Sequence, residues 1–318
     1  MQSKLTVIVP VYNGMPFLKE TIESILNQTY KDFHLLIVND GSTDESSEYL
    51  RTLTDSRIEV KHQSNMGLCA SLNQAIASSD SELIARLDQD DVALPSRLQD
   101  QVDFLSSHLD YACVLSSISR ITESGKEFGS YDPDFSEEIS DYKWGVYGCV
   151  VHSTICFRKE SFLTLGGYRS FLYPVDDYDL LLRFEESYQV AVINKALVKY
   201  RIHAKAGTFK TFREMEFKTR YVEEMAAQRR SNKPEISLME FSHTLNQATL
   251  WEKWHRNINE MGRLMFRQAG LMIGEGEYFR GLYGLTVAFL LTPRLTLYKL
   301  LALRHRNESR SSRDLTNR

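Results

Sequence analysis

Two aspartates separated by one residue, Asp88 and Asp90, follow an apolar run and could bind a metal ion. In an extended segment, residues i and i+2 point to the same side, so the two carboxylates converge. Neighbouring carboxylates repel each other unless a cation lies between them. Hard oxygen ligands favour Mg²⁺ or Mn²⁺, which also bind phosphate oxygens. The spacing predicts a divalent metal site that carries phosphate, with a solvated acidic turn as the alternative.

Polar residues also follow two other apolar runs. Asp40 ends one run, where its carboxylate could accept a hydrogen bond from a nucleotide base or could belong to a plain turn. Ser42 and Glu45 have the spacing of a capping box, which predicts that a helix begins there. Tyr12 follows the first run and could either offer an aromatic face to a base or simply pack.

Three acids stand close together at 176–179, at the start of a predicted helix: Asp176, Asp177 and Asp179. The helix dipole favours one or two acids in a first turn, and a third suggests a general base. His203 ends the last predicted strand. It could complete a metal shell, bind phosphate or have a structural role.

The elements that must position these residues alternate along the first part of the chain. Short apolar runs at 5–9, 33–38, 58–60 and 82–87 predict strands, with helical repeats between them. This order predicts a mainly parallel α/β sheet covered by helices. Ligands bind beyond the carboxyl ends of such strands, and the polar clusters lie there.

The pattern changes farther along the chain. Strands are predicted at 111–120, 153–158, Val190–Ile193 and Ala196–Ile202, and 137–147 has no defined pattern. After His203 helices are predicted at 213–230 and 237–270. We expect a catalytic domain over 1–205 and a helical region over 206–318, with a disordered tail from about 304.

Composition fits an ordinary globular protein, because 42% of the 318 residues are hydrophobic and 25% are charged. A formal net charge of -4 gives no general attraction to nucleic acid, so no nucleic-acid partner is expected. Acids outnumber bases by 12 up to residue 203, and bases outnumber acids by 8 after it. The apolar segment 278–303 with its flanking Arg and Lys predicts peripheral membrane contact; packing on the catalytic domain is the alternative.

Four cysteines are present, at 69, 113, 149 and 156, and none forms a C-x-x-C pair. No charged and apolar leader is seen. We therefore expect reduced thiols and a cytoplasmic protein, peripheral on the inner face of the membrane if the C-terminal segment binds it.

The order of these motifs resembles a family 2 glycosyltransferase of the GT-A fold, over residues 4–203. The matching segments are Val7–Gly14, Ile37–Asp44, Asn65–Leu68, Ser71–Asn73, Arg86–Asp91, His152–Thr154, Gly166–Tyr168, Asp176–Asp179 and Tyr200–His203. The resemblance implies a GT-A-like sheet and transfer of a sugar from a nucleotide-sugar, UDP-sugars favoured, with inversion. It also implies a saccharide or lipid-linked saccharide acceptor, usually in cell-envelope polysaccharide synthesis.

The resemblance also implies roles for single residues on the nucleotide side. Pro10 and Tyr12 would line the base pocket, with the Tyr12 ring stacked on the base. Asp40 would accept a hydrogen bond from a uracil-type N3–H. Asn13 and Asn65 would complete the nucleotide site.

On the reaction side, Asp88 would lie near the ribose and the metal, and Asp90 would be the direct ligand of Mn²⁺ or Mg²⁺. His203 would be a distal metal or phosphate contact. Asp177 would be the catalytic base; Asp179 is its rival. The family often has Glu where this chain has Asp176, so the role of Asp176 stays open.

Three other functions fit the sequence less well. An NAD(P)-dependent enzyme needs a glycine fingerprint after the first strand, which Val9–Gly14 lacks. A nucleotidyltransferase would show a glycine-rich basic loop near the start, and this sequence shows none there. A catalytically degenerate scaffold remains the alternative, against which the retained Asp40, Asp90 and Asp177 argue.

Overall fold

Strand β1 (Leu5–Val11) lies inside a ten-stranded sheet and is buried along its whole length. Val7 and Val9 face one layer of the core, whereas Ile8 faces the layer on the other side of the sheet. Strands covered on both faces need apolar residues at every position, which is why this run does not alternate. The structure, a computed structural model, describes residues 3–131, 139–142, 151–203, 211–297 and 300.

The sheet contains ten strands, of which the first four along the chain coincide closely with the first four apolar runs. The ten strands are β1, β2 (Phe33–Asp40), β3 (Ile58–Gln63), β4 (Leu83–Arg86), β5 (Val92–Ala93), β6 (Tyr111–Ile121), β7 (Glu127–Tyr131), β8 (Ile139–Asp141), β9 (Cys156–Arg158) and β10 (Gln189–Arg201). The order is β3-β2-β1-β4-β9-β6-β10-β5, with β7 beside β6 and β8 beside β10. Strands β1 to β4 are parallel, as are β6 and β10, and antiparallel β9 joins the two groups.

Helices cover both faces of this sheet. They are α1 (Leu18–Leu26), α2 (Ser46–Arg51), α3 (Leu68–Ser78), α4 (Arg97–Ser107), α5 (Lys159–Thr164) and α6 (Asp176–Ser187). Leu18 of α1 and Leu98 of α4 belong to one core, and Leu72 of α3 and Phe184 of α6 to the other. The predicted α/β sheet flanked by helices is confirmed.

Three local predictions in the first part of the chain were wrong. Ser42 and Glu45 form no capping box, because the Ser42 hydroxyl accepts from the Asn13 backbone and α2 begins only at Ser46. Residues 153–158 contain a 3₁₀ turn (His152–Thr154) before the short strand β9. The two closing strands are one strand, β10, whose register shifts between Ile193 and Ala196.

The chain divides into two compact units, and the second, which comprises Thr122–Phe128 and Ile202–Arg318, is helical. Its helices are α7 (Phe212–Arg230), α8 (Leu238–Gln247), α9 (Leu250–Gly274) and α10 (Tyr278–Leu291). The single helix predicted at 237–270 is therefore two. Thr249 starts the second one with a real capping box, in which its hydroxyl accepts from Glu252 N.

Helices α9 and α10 pack closely through small residues. A Cβ on Gly284 would meet the Ala269 Cβ at 3.0 Å, and one on Gly281 would overlap Ile273. None of the described helices has the length and apolar character needed to cross a membrane. The expected 205/206 domain boundary, the tail from about 304 and Cys149 lie outside the described residues.

Candidate active site

The loop after β1 is fastened to the loop after β2. Asn13 has a left-handed backbone (φ 53°), and its side-chain oxygen accepts from Thr43 N at 2.7 Å. Its own N–H donates to the Ser42 hydroxyl at 3.0 Å. These bonds bring the ends of both strands to one edge and leave the Tyr12 ring 49% exposed there.

Asp40, the last residue of β2, is buried and holds the loop that leads to α3. One carboxylate oxygen accepts from Gln63 Nε2 at 2.8 Å and from Met66 N at 2.9 Å, and the other accepts from Gly67 N at 2.9 Å. Burial alone would raise the pKa of Asp40, but these hydrogen bonds lower it below its usual value. Asp40 is therefore a permanent anion with room for one more donor.

Gln89 joins the acidic loop, which comprises Asp88–Asp91, to the loop after β1. Its side-chain oxygen accepts from Tyr12 N at 2.8 Å, and its Nε2 donates to Tyr12 O at 3.1 Å. The Gln89 amide therefore satisfies both the N–H and the C=O of Tyr12, as the backbone of a neighbouring strand would. Gly14 lies against the same amide, since a Cβ there would be 2.8 Å from the Gln89 oxygen.

Asp88 is held by two side chains. Arg86 Nη2 lies 2.6 Å from one carboxylate oxygen, and the Ser153 hydroxyl donates to the other at 3.1 Å. Burial raises the pKa of Asp88 against the opposing charge of Arg86, and the neighbouring Asp90 adds to the rise. The Arg86 side chain is only 4% exposed, so the acidic loop is built around a buried cation.

Asp91 faces inward and supports the loop. It is fully buried, and one carboxylate oxygen accepts from Arg201 N at 2.8 Å. Arg201 Nε also donates to Asp90 O at 2.9 Å, and the Thr21 hydroxyl donates to Asp91 O at 2.8 Å. Burial, with the charges of Asp90 and Asp88, raises the pKa of Asp91 well above its usual value. These contacts fix the backbone from which the half-buried Asp90 side chain projects.

The donor set fits a metal held mainly by its substrate. Among the described residues, no three His, Cys, Asp or Glu side chains form a complete metal-binding group. Asp90, with Asp88 beside it, offers the one or two carboxylates that Mg²⁺ uses together with substrate phosphates and water. The carboxylates of Asp88 and Asp90 are therefore enough for a metal whose other ligands are substrate phosphates and water.

Two acids of different character begin α6. Asp176 is 3% exposed and in hydrogen-bond contact with the Cys69 thiol. Asp177 is half-buried, and one of its carboxylate oxygens accepts from Tyr178 N at 2.7 Å. Burial and the neighbouring Asp176 raise the pKa of Asp177 to about 7, and the charges of Arg86 and Asp88 also act on it. A carboxyl with such a pKa can gain and lose a proton near neutral pH.

Asp179, the rival base, has a structural position. Its side chain is 0% exposed and forms an ion pair with Arg183 at 2.7 Å, with Arg169 at 3.6 Å on its other oxygen. Both carboxylate oxygens of Asp179 therefore face guanidinium groups in the protein interior. This geometry favours Asp177 as the base.

Comparisons with known proteins give the family of this chain. Residues 6–166 match the model of glycosyl transferase family 2. EpsE, a candidate glycosyltransferase of Bacillus subtilis (strain 168), is 35% identical over 216 residues, 66% of this chain and 77% of EpsE. The chain belongs to glycosyl transferase family 2.

Two further similarities bear on this family 2 glycosyltransferase. The O-antigen biosynthesis glycosyltransferase WbnJ of Escherichia coli is 32% identical over 211 residues, 64% of this chain and 81% of WbnJ. The structure of S. aureus TarS 1–349 in complex with UDP has a TM-score of 0.60 at 15% identity and covers 92% of each chain. At that identity, TarS supports the GT-A fold alone.

The remaining predicted residues of the glycosyltransferase site lie in different settings. Pro10 is buried within β1, opposite Val38 of β2. Asn65 is exposed, and its backbone nitrogen lies close to Gly41, where a Cβ would approach it to 2.8 Å. His203 is buried and lies in the second unit, outside the unit that contains Asp90.

Sequence reasoning assigned no role to Arg86, Gln89 or Arg201, although all three organise the acidic loop. Arg86 and Arg201 lie inside the recognised motifs, and Arg86 stands two residues before Asp88 in the sequence. Gln89 offered no signal, because a glutamine between two aspartates is equally suited to solvent.

Proposed function

We propose that the protein is an inverting, metal-dependent glycosyltransferase. It would move a sugar from a UDP-sugar to a saccharide or lipid-linked saccharide acceptor in cell-envelope polysaccharide synthesis. The observation that carries this proposal is the joined edge of β1, β2 and β4, where an exposed ring, a permanent anion and a carboxylate pair lie on loops that hydrogen-bond to one another.

The nucleotide would bind at the ends of β1 and β2. The exposed Tyr12 ring offers a stacking face, and Asp40 has capacity for one more donor, such as a uracil N3–H. Pro10, Asn13 and Asn65 would shape this site, Asn13 by holding the two loops together. The UDP bound to TarS and the O-antigen role of WbnJ support a UDP-sugar and a cell-envelope product.

Asp90 would hold the metal, with Asp88 turned toward Arg86 and contributing through its charge. When bound, Mn²⁺ or Mg²⁺ neutralises the charge of the leaving diphosphate. Arg201 and Thr21 keep the Asp90 backbone in place by hydrogen bonds to the loop. His203 stays a proposed distal contact.

Asp177 would take the proton from the acceptor hydroxyl. The hydroxyl oxygen forms a bond to the anomeric carbon while the bond from that carbon to the diphosphate oxygen breaks, and the electron pair leaves with the diphosphate. One base and no second nucleophile in this role give a single displacement and inversion. A pKa of about 7 makes Asp177 an effective base near neutral pH.

Calorimetric titration with UDP, dTDP and GDP, each with and without Mn²⁺, tests the donor and metal parts together. We expect UDP to bind tightly only with metal, and Asp90→Asn to lower that affinity at least about tenfold. Asp110→Asn, an exposed acid of the same unit, is the matched control and should change nothing. Metal-independent binding of equal affinity would contradict the metal assignment.

A catalytically degenerate scaffold would give a different result. It would bind no nucleotide, or would bind UDP but neither transfer nor hydrolyse any UDP-sugar. Turnover by the wild type that is lost in Asp177→Asn excludes it, and proton NMR coupling at the anomeric position of the product reports inversion.

We also propose that the second unit touches an anionic membrane surface through α10. The face of α10 away from α9 exposes apolar side chains, among them Phe279 at 92% and Leu290 at 74%. Residues 278–307 contain five Arg and Lys and no acid. Apolar and aromatic side chains flanked by cations suit the interface of a bilayer with anionic lipids.

Cosedimentation with phosphatidylglycerol vesicles tests this contact. We expect binding at low salt, weaker binding at high salt or with neutral phosphatidylcholine, and loss of binding in Phe279→Asp with Leu290→Asp. Met239→Asp, which changes an exposed residue of α8, is the control. Wild type that stays in solution with anionic vesicles at low salt would disprove the contact.

A further inference from the structure

Two exposed aromatic rings stand on the loop that leads into α6. Phe171 is 54% exposed and Tyr173 43%, whereas Leu172 between them is fully buried. The segment folds as a 3₁₀ turn, Ser170–Leu172, in which Leu172 N donates to Arg169 O at 2.9 Å. The turn therefore anchors one apolar side chain in the core and presents the other two to solvent.

The preceding part of this loop is held by hydrogen bonds from the side chains of Arg183 and Asn73. Arg183 Nη1 donates to Leu165 O at 2.7 Å, and its Nη2 donates to Gly167 O at 2.8 Å. The Asn73 side chain both donates to Tyr168 O and accepts from Tyr168 N, each at 2.8 Å. A loop held in this way keeps its rings in place before any ligand arrives, which lowers the entropic cost of binding.

The loop contacts the segment that holds Asp88 and continues into the helix that begins at Asp176. The Tyr168 hydroxyl is 2.6 Å from His152 Nε2, and the next residue, Ser153, donates to Asp88. Tyr173 precedes Asp177 by four residues, and Asp177 lies in the first turn of α6. The chain therefore links these rings directly to Asp177, and the Tyr168–His152 contact links their loop to the segment that holds Asp88.

We infer that Phe171 and Tyr173 form an acceptor subsite that binds a pyranose ring. This inference rests on the proposed function, because an acceptor hydroxyl must lie within hydrogen-bond reach of Asp177. The apolar C–H face of a pyranose packs on the negative face of an aromatic ring. Its hydroxyl groups remain free for the polar surroundings of Asp177 and the Tyr173 hydroxyl.

The test uses full-length enzyme saturated with UDP and Mn²⁺. Binding of a panel of methyl pyranosides is followed by saturation-transfer NMR, and transfer kinetics follow with the panel members that bind. For Phe171→Ala and Tyr173→Ala we expect the acceptor KM to rise about tenfold each, with kcat and the Kd for UDP within about twofold of wild type.

Conservative and control variants separate stacking from general structure. Phe171→Trp should keep the acceptor KM within about threefold of wild type, whereas Phe171→Leu, which keeps an apolar side chain, should not. Leu163→Ala removes a comparably exposed side chain on α5 and should leave the acceptor KM unchanged.

The outcomes can be told apart. A wild-type protein that binds no UDP and turns over no UDP-sugar would disprove the proposed function itself. Wild type that binds UDP but none of the pyranosides, or alanine variants with unchanged acceptor KM, would overturn the subsite alone. A matching loss of UDP affinity would assign the rings to the donor, and lost vesicle binding with unchanged sugar binding would assign them to lipid; either result overturns the inference.

Discussion

Asp40 and Asp177 are aspartates of the same unit whose surroundings act in opposite directions. Asp40 is buried but accepts hydrogen bonds from Gln63, Met66 and Gly67, so its pKa lies below the usual value. Asp177 accepts one from Tyr178 and lies beside a second acid, so burial and Asp176 raise its pKa to about 7. At Asp40 the hydrogen-bond donors outweigh the effect of burial on the pKa, whereas at Asp177 burial and the neighbouring acid outweigh the single donor.

The difference matches the two roles that we propose for these residues. A carboxylate that reads a nucleotide base must be an anion at every physiological pH, and one that removes a proton must be able to hold it. The chain obtains both from one residue type by placing backbone N–H groups around Asp40 and a like charge beside Asp177. Substitutions at the two sites should therefore separate binding from turnover.

The largest expected effect is the loss of the base. Asp177→Asn removes the proton acceptor, and kcat should fall about 1000-fold while the Kd for UDP stays within about twofold. Initial rates of sugar transfer and calorimetry measure the two quantities. Glu186→Gln, on the same helix, is the control. A loss of UDP affinity as large as the loss of kcat would place Asp177 in the donor site.

The pH profile should come next in size. The active form of Asp177 is deprotonated, so kcat/KM should rise with pH up to about 7 and level off above it. Below that value the rate should change about tenfold per pH unit. Asp177→Asn should remove this acid limb from its residual rate. A limb that persists in the variant would belong to another group, and the contrast with Asp40 would fail.

At the other site, Asp40→Asn should weaken UDP binding about tenfold or more and change kcat little. The amide keeps one oxygen for Gln63 and Met66 but turns an NH₂ group toward Gly67 N–H, which leaves a buried donor unpaired. Calorimetry with UDP measures the effect, and Asp32→Asn, an exposed acid before β2, is the control. Unchanged affinity would show that the charge of Asp40 is dispensable.

Much of the first unit was predictable because its signals are local. Buried parallel strands are continuous apolar runs, so β1, β2 and the acids that follow them could be placed from periodicity and strand ends. A strand was also predicted at 153–158, but the antiparallel position of β9 between β4 and β6 was not predictable, since the pairing of distant segments has no local sequence signal.

The contacts that position the site residues could not be predicted for the same reason. Asp91 was one of three equivalent acids in the sequence, and only Arg201, 110 residues away, makes it the inward one. The wrongly predicted capping box at Ser42 has this cause too, because the Ser42 hydroxyl accepts a hydrogen bond from Asn13 in the loop after β1. Residue type predicts what a side chain can do, and distant contacts decide which of these it does.

The smallest expected effect concerns the link between the two loops at the nucleotide site. Gln89→Ala removes both hydrogen bonds to the Tyr12 backbone and should raise the Kd for UDP about threefold to tenfold, with kcat nearly unchanged. Gln74→Ala, an exposed glutamine on α3, is the matched control. Gly14→Ala should have a similar effect with Gln89 intact, because its Cβ would displace the amide.

The double variant decides whether this link is the cause. If both substitutions act by breaking the same pair of hydrogen bonds, the double variant should bind UDP about as well as either single one, far from an additive loss. Additive losses would mean that Gly14 and Gln89 act separately. The Tyr12 loop would then be positioned by Asn13 and its bonds to Ser42 and Thr43, and the acidic loop would contribute to nucleotide affinity only through its charge.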